Sequence, residues 1–183
     1  MEVVTARLVL REINEGDFAA LCALYADPEI RRFEGPALDA PEIRRRLQAI
    51  LAAQVSQPRA AFCLAITLPP DEELHGLVTL SLIHPDIREY EIGWTVQRQD
   101  WGKGYATEAA QALLRLAFIR LNAHRVIALC QPENGASLRV MEKLGMQREG
   151  LLRQTHPFGD GWRDELLYAI LDNDYPRSLI MRS

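Results

Sequence analysis

Cysteine is scarce in this chain of 183 residues: Cys22, Cys63 and Cys130 are odd in number and far apart. No Cys-x-x-Cys pair and no Cys/His spacing suited to a metal accompanies them, so neither a disulfide framework nor a zinc site is indicated. Buried free thiols are the expectation. The histidines, His75, His84, His124 and His156, are scattered in the same way, and no metal site is expected. A basic excess is also missing: the net charge of −4 exerts no general pull toward nucleic acid or acidic membranes. No apolar run reaches about 18 residues, and the first residues lack the apolar core of a signal peptide, so a cytoplasmic protein is expected. Internal repeats, low-complexity tracts and long linkers are absent. What is present is a chain 48% hydrophobic and 25% charged, the balance of a soluble globular protein of one-domain length.

Periodicity divides the chain into short elements. Arg7–Arg11 alternates polar and apolar and predicts a first strand. Phe18, Leu21, Cys22 and Tyr25 fall 3 and 4 apart and predict a helix behind a cap at Asn14, broken at Asp27-Pro28. A second helix is expected from Asp39 to Gln54, with Asp39 as cap, Pro41 in its first turn and Ile43, Leu47, Ile50 and Leu51 on one face. Its run Arg44-Arg45-Arg46 reads as a solvated face, with a patch for an acidic acceptor as the competing reading. Ala60–Thr67 and Leu74–His84 flank a polar, proline-rich turn and predict a hairpin; Arg88–Val96 predicts a further strand. Tyr105–Leu121 is the clearest helix, with an apolar stripe from Ala106 through Ala110, Leu113, Leu114, Ala117 and Phe118 to Leu121. Val126–Cys130, a short helix Asn134–Lys143 stopped at Gly145, and strands Met146–Thr155 and Trp162–Leu171 complete the order. This mixed α+β pattern implies one sheet with helices on its faces, over residues 1–175, followed by a loosely held tail over 176–183.

The most informative stretch is Trp101-Gly102-Lys103-Gly104-Tyr105-Ala106-Thr107, set between the strand ending at Val96 and the clearest helix. The first amides of a helix have no intrahelical acceptor and the helix dipole is positive there, so such a turn suits a phosphate. Gly102 and Gly104 permit backbone torsions and close approach, and Lys103 adds what reads as a mobile positive charge. A diphosphate-bearing ligand is the inference, against an ordinary strand-to-helix turn. The nucleotide-triphosphate loop Gly-x-x-x-x-Gly-Lys-Ser/Thr does not occur, and neither does a dinucleotide Gly-x-Gly-x-x-Gly with its distal acid.

About thirty residues on stands Asn134-Gly135-Ala136-Ser137, followed by Glu142-Lys143-Leu144-Gly145-Met146. This block resembles the Asn-x-x-Ser…Glu-Lys-Leu-Gly-Phe segment of the GNAT acyltransferases. The glycine turn is similar to that superfamily's Arg/Gln-x-x-Gly-x-Gly/Ala loop, with Trp101 standing where the formula has Arg or Gln. Thr5–Arg11 resembles the opening strand of the branch that acetylates ribosomal-protein N-termini (the RimJ/RimL type). Gly161-Trp162-Arg163-Asp164 with Tyr168 resembles that branch's ending. The likeness spans about Thr5 to Ile170.

The resemblance implies a single domain with a mixed, mostly antiparallel, seven-stranded sheet, helices on both faces and a splay between the fourth and fifth strands. It implies acetyl-CoA as donor. The pantetheine arm would lie in the splay against backbone groups of Trp94, Thr95 and Val96. The pyrophosphate would lie on Trp101, Gly102, Lys103, Gly104, Tyr105, Ala106 and Thr107, and Asn134 and Ser137 would also reach the cofactor. Chemistry requires a neutral amine to attack the thioester and a proton or hydrogen bond for the leaving thiolate. Ser137 is the candidate for the second task, with a helix-cap hydroxyl as its alternative; Glu91 is the base candidate, with a surface glutamate as its alternative. Strand alternation sets Glu91, Gly93 and Thr95 opposite Tyr90, Ile92, Trp94 and Val96 unless a bulge intervenes. Tyr105 reads as helix-start packing, His156 as a candidate for the acceptor mouth, and Asp164 as either an amine contact or a strand partner. Cys130 has no activating neighbour in sequence, so direct attack without an acyl-enzyme is expected. The expected acceptor is a protein N-terminal amine. A small-molecule amine (antibiotic, polyamine or amino acid) and a catalytically silent CoA-binding module are the alternatives. Oligomeric state, monomer or homodimer, stays open.

Overall fold

The computed structural model describes residues 1–175; the tail expected over 176–183 lies outside the described residues. One mixed sheet carries eight strands in the order β1-β2-β3-β4-β5-β6-β8-β7. They are β1 (Glu2–Val4), β2 (Val9–Glu12), β3 (Ala61–Thr67), β4 (Gly76–His84), β5 (Glu89–Val96), β6 (Arg125–Cys130), β7 (Gln147–Phe158) and β8 (Gly161–Leu171). Every neighbouring pair is antiparallel except β5 with β6. The helices are α1 (Phe18–Ala26), α2 (Pro28–Arg31), α3 (Ala40–Val55), α4 (Tyr105–Ile119) and α5 (Gly135–Lys143).

The sheet has one strand more than the seven expected. Three residues of β1 turn back on β2 through Thr5, whose hydroxyl and amide both bond to Leu8. A strand this short shows no periodicity, and its Val4 is exposed, so no pattern marks it. The strand predicted from Arg7 starts at Val9, because the amide of Arg7 donates to a side chain, Glu108 Oε1 at 2.8 Å, and not to a ladder.

Two cores sandwich the sheet. One packs α4 and α5 through Leu113, Leu114, Ala117 and Met141 onto Leu64, Val78, Ile92 and Val126. The other packs α1 and α3 through Leu21, Leu24, Ile43 and Leu47 onto Ala65 and Leu77. The α4 stripe read from sequence is the buried one, with Ala109 and Leu116 added. Asp39 caps α3 as expected, accepting from the amide of Glu42 at 2.9 Å, whereas Asn14 forms its reciprocal capping box with Asp17 on a 3-10 turn (Glu15–Asp17) ahead of α1, whose own start has no side-chain cap. The arginine run of α3 is a surface. Arg44 pairs with Glu15 and stacks on Phe18, while Arg45 and Arg46 pair with Glu42.

Two irregularities position the site. β5 pairs with β6 only from Glu89 to Glu91, opposite Arg125 to Ile127. From Ile92 onward β5 has β4 on one side and no strand on the other, which is the expected splay. The second lies in β7, where the ladder to β8 slips between Leu152 and His156. Both strands of this hairpin exceed their predicted lengths, since the turn is only Gly159-Asp160 and Phe158 still pairs with Gly161.

Candidate active site

A cleft of about 780 Å³ runs through the splay from the start of α4 to the face carrying α1 and α2. At its donor end, a 3-10 turn (Arg98–Asp100) leads through Trp101 to Gly104, which adopts φ +84° as the residue preceding α4. Gly102 adopts φ +76°. In this left-handed region a side chain costs about 1–2 kcal/mol, so both positions favour glycine. An added Cβ at Gly102 meets no protein atom within 4 Å, so an approaching ligand meets only backbone there. No side chain caps α4, and its first-turn amides are left for a ligand. The donor set therefore fits a diphosphate.

The loop is held by side-chain contacts, and the sequence reading anticipated neither Asp100 nor Arg7 among them. Asp100 is buried beneath it and bonds His75 Nδ1 at 2.7 Å and Lys103 Nζ at 2.8 Å. Burial alone would push this carboxyl up; the bonds from Lys103 and His75 outweigh it and hold Asp100 below the ordinary value. The Lys103 ammonium is correspondingly raised by its bond to Asp100. Lys103 is thus a tethered charge rather than a mobile one, and its side chain does not line the cleft. Trp101 Nε1 donates to Val96 O at 2.8 Å and ties the loop to the end of β5. From the far side Arg7 bonds Glu108 through Nε at 2.7 Å and the carbonyl of Lys103 through Nη1 at 2.9 Å, while its guanidinium covers the Tyr105 ring. The bonds made by His75 and Arg7 have no local mark in sequence, because their partners are 25 to 101 residues away.

Of the expected cofactor residues, Trp94, Thr95, Val96, Trp101, Gly102, Gly104, Tyr105, Ala106, Thr107, Asn134 and Ser137 line this cleft. Lys103 stands outside it. The carbonyl of Val96 is already taken by Trp101, and Thr95 has the strand parity of Gln97, which bonds to the β4 side, so Trp94 presents its backbone N–H and C=O at the unpaired edge. Asn134 caps α5 by accepting from the amide of Ser137 at 3.1 Å. The Ser137 side chain is therefore not the cap: its hydroxyl makes no hydrogen bond among the described residues and is half-buried in the cleft wall.

At the other end the wall is Tyr25 of α1, Glu29 of α2, Arg32 and Phe33 of the segment after α2, Thr79 and Gly93 from the sheet, and His156 and Glu165 from β7 and β8. No bulge interrupts β5 between Tyr90 and Val96, so the alternation holds and Glu91 shares a face with Gly93 and Thr95. Glu91 lies within the paired part of β5, half-buried and outside the cleft wall. Burial, and secondarily the neighbouring Glu165, raise its carboxyl above the ordinary value. Asp164 resolves as a strand partner: its Oδ1 accepts from the amide of Gln154 at 2.9 Å inside the β7 slip. Burial pushes the Cys130 thiol up to about 11, so it remains protonated near neutral pH and is a poor nucleophile.

An uncapped helix start, a glycine loop and parted strands together define an enzyme that takes an acyl group from a coenzyme A thioester. Residues 7–147 match the family described as the acetyltransferase (GNAT) domain, and the chain belongs to that family. It is an N-acetyltransferase with acetyl-CoA as co-substrate. It is 34% identical over 175 residues to the uncharacterized N-acetyltransferase YnaD of Bacillus subtilis, covering 96% of this chain and 99% of that protein. The [Ribosomal protein uS5]-alanine N-acetyltransferase of Escherichia coli is 24% identical over 180 residues, with 96% and 93% covered. Among solved structures, a GNAT-family acetyltransferase from Bacillus anthracis superposes with a TM-score of 0.82 at 32% identity, covering 94% of this chain and 99% of that one. Mycobacterium smegmatis RimJ in complex with CoA-disulfide superposes with a TM-score of 0.79 at 25% identity, covering 92% and 84%.

Proposed function

We propose that this enzyme acetylates the α-amine of a protein N-terminus by direct attack of that amine on the bound thioester. The observation that carries the reading is the two-ended cleft: donor backbone at one end, and at the other an open wall from α1, α2 and the β7–β8 hairpin. The presence of a ribosomal-protein alanine acetyltransferase among relatives covering nearly the whole chain supports the same acceptor class. In this reading the Ser137 hydroxyl, free of the α5 cap and in the cleft wall, hydrogen-bonds the leaving thiolate. Glu91 enters as a candidate base through its face of β5, reaching an acceptor only by way of water, since it does not line the cleft.

A second reading, a small-molecule amine, is favoured by one contact. Arg163 Nη1 donates to Arg32 O at 3.4 Å and joins the β7–β8 hairpin to the segment after α2, narrowing the mouth. A thiol-release assay with acetyl-CoA separates the two. Peptides beginning with alanine or serine should turn over, with one acetyl group on the α-amine by mass spectrometry. Turnover of spermidine or an aminoglycoside with no peptide product would select the second reading.

A further inference from the structure

We propose that His156 takes the proton from the acceptor amine, with Glu165 as its positioning residue; this rests on the acetyl-transfer reading above. The observation is a buried ring nitrogen with nothing to bond. His156 lines the cleft, yet its Nε2 is shut off from solvent and has no hydrogen-bond partner among the described residues. Buried polar atoms are nearly always paired, and leaving one unpaired is costly, so this nitrogen points to a partner that comes with the substrate. The other ring nitrogen, Nδ1, faces Glu165 Oε1 at 3.6 Å. Glu165 is itself fixed, its second oxygen accepting from Thr155 Oγ1 at 3.0 Å. A carboxylate opposite Nδ1 favours the tautomer protonated there, which leaves Nε2 its lone pair.

The backbone is bent to bring this pair together. In a straight ladder running on from Leu152 opposite Glu165, His156 would fall opposite Gly161, at the hairpin turn. The slip in β7 places it opposite Arg163 instead, beside Glu165. Gln154, at φ +54°, and the bond from its amide to Asp164 Oδ1 hold the slip open. Bulges re-aim side chains in this way next to reaction sites.

The charged and titratable groups around His156 are Glu165 and Arg163 of β8, Cys130 of β6, and Glu29, Arg32 and Glu34 across the cleft. Glu91, on the same sheet face, is a neighbour of Glu165 rather than of the acceptor. An ammonium acceptor gives one proton to His156 Nε2. The freed nitrogen lone pair forms the C–N bond at the acetyl carbonyl carbon, and the C–S bond breaks. A second nitrogen proton reaches the leaving sulfur through the Ser137 hydroxyl, and the third stays on the amide. Once the product leaves, the imidazolium passes its proton to water that takes the product's place in the cleft.

The test compares wild type, His156→Gln and Glu165→Gln with acetyl-CoA and three probes: an alanine-initiated peptide, a serine-initiated peptide and spermidine. His156→Gln should lower kcat about 100-fold, within the range of general-base catalysis, and abolish the fall in kcat/KM at acidic pH. Its acetyl-CoA Kd by calorimetry should be unchanged. Glu165→Gln should lose less and keep the acid limb. A His156→Gln enzyme within twofold of wild type, with its acid limb intact, overturns the proposal. Ring 15N NMR of the acetyl-CoA-bound protein needs no acceptor: a proton on Nδ1 supports the assignment and a proton on Nε2 overturns it. If wild type acetylates none of the probes, the acceptor reading fails, and the NMR tautomer alone decides for or against His156.

Discussion

Gly104 sits at φ +84°, and the nearest atom to an added Cβ is Arg7 Nη2 at 3.4 Å, the far end of a flexible side chain. Steric room is therefore available, and the penalty of substitution is mainly torsional, about 1–2 kcal/mol and at the upper end for a β-branched residue. Gly104→Val should leave the protein folded, with a modestly lower Tm, and abolish acetyl-CoA binding in calorimetry; retained affinity would remove the loop from the donor site. Ser137 offers a contrasting residue. Its backbone amide serves the α5 cap while its hydroxyl does not, so Ser137→Ala leaves the helix start unaltered. Turnover should fall about tenfold or more while acetyl-CoA affinity stays within twofold, measured by steady-state kinetics beside calorimetry. Equal losses in both would make the serine a binding contact alone.

At the scale of elements, β5 does two jobs along its length. Its first residues complete the sheet with β6, and its last present an unpaired edge. Glu91 closes the paired part, and burial raises its carboxyl. A raised folded value means that the native state binds the proton more tightly than the unfolded chain. That stabilisation is full below the ordinary glutamate range and is lost as pH rises through the raised value. Glu91→Gln should therefore raise Tm at pH 7 to 8 relative to wild type, with the gain fading toward pH 4 in thermal melts; an equal gain at all pH values would contradict it. The elements themselves were readable because each has a local signature: Asp39 ahead of Pro41, the 3.6-residue stripe of α4, and Gly145 at φ +77° ending α5. What escaped was non-local. β1 is too short to show a period, and the slip in β7 depends on Asp164 reaching the amide of Gln154 across the hairpin. The same slip hides the acceptor wall, since a straight reading of β7 keeps His156 away from Glu165. The donor loop could be read from Gly102 and Gly104, but the keystone beneath it could not: Asp100 finds His75 only once β4 and β5 lie side by side.

As a whole, the molecule carries its cleft between two cores on opposite faces of the sheet. A ligand lodged there contacts only the folded state, so acetyl-CoA stabilises the protein by mass action, about 2.7 kcal/mol at a hundredfold excess over Kd. For a chain of this size that corresponds to roughly 5–10 °C in Tm by scanning calorimetry or dye-monitored melting. No shift at saturating acetyl-CoA would be incompatible with the cleft described. Among the described residues no helix is long and apolar enough to cross a membrane, and no cluster of ligands could hold a metal ion.

The strap formed by Thr5 and Arg7 reaches from the outermost edge of the sheet to Glu108 and the carbonyl of Lys103. Chain trimmed to start at Val9 would keep every atom of the nucleotide-facing loop and yet release its back wall, so donor grip should slacken without any loss from the loop. Thr5 and Arg7 are thus the outer buttress of the glycine loop.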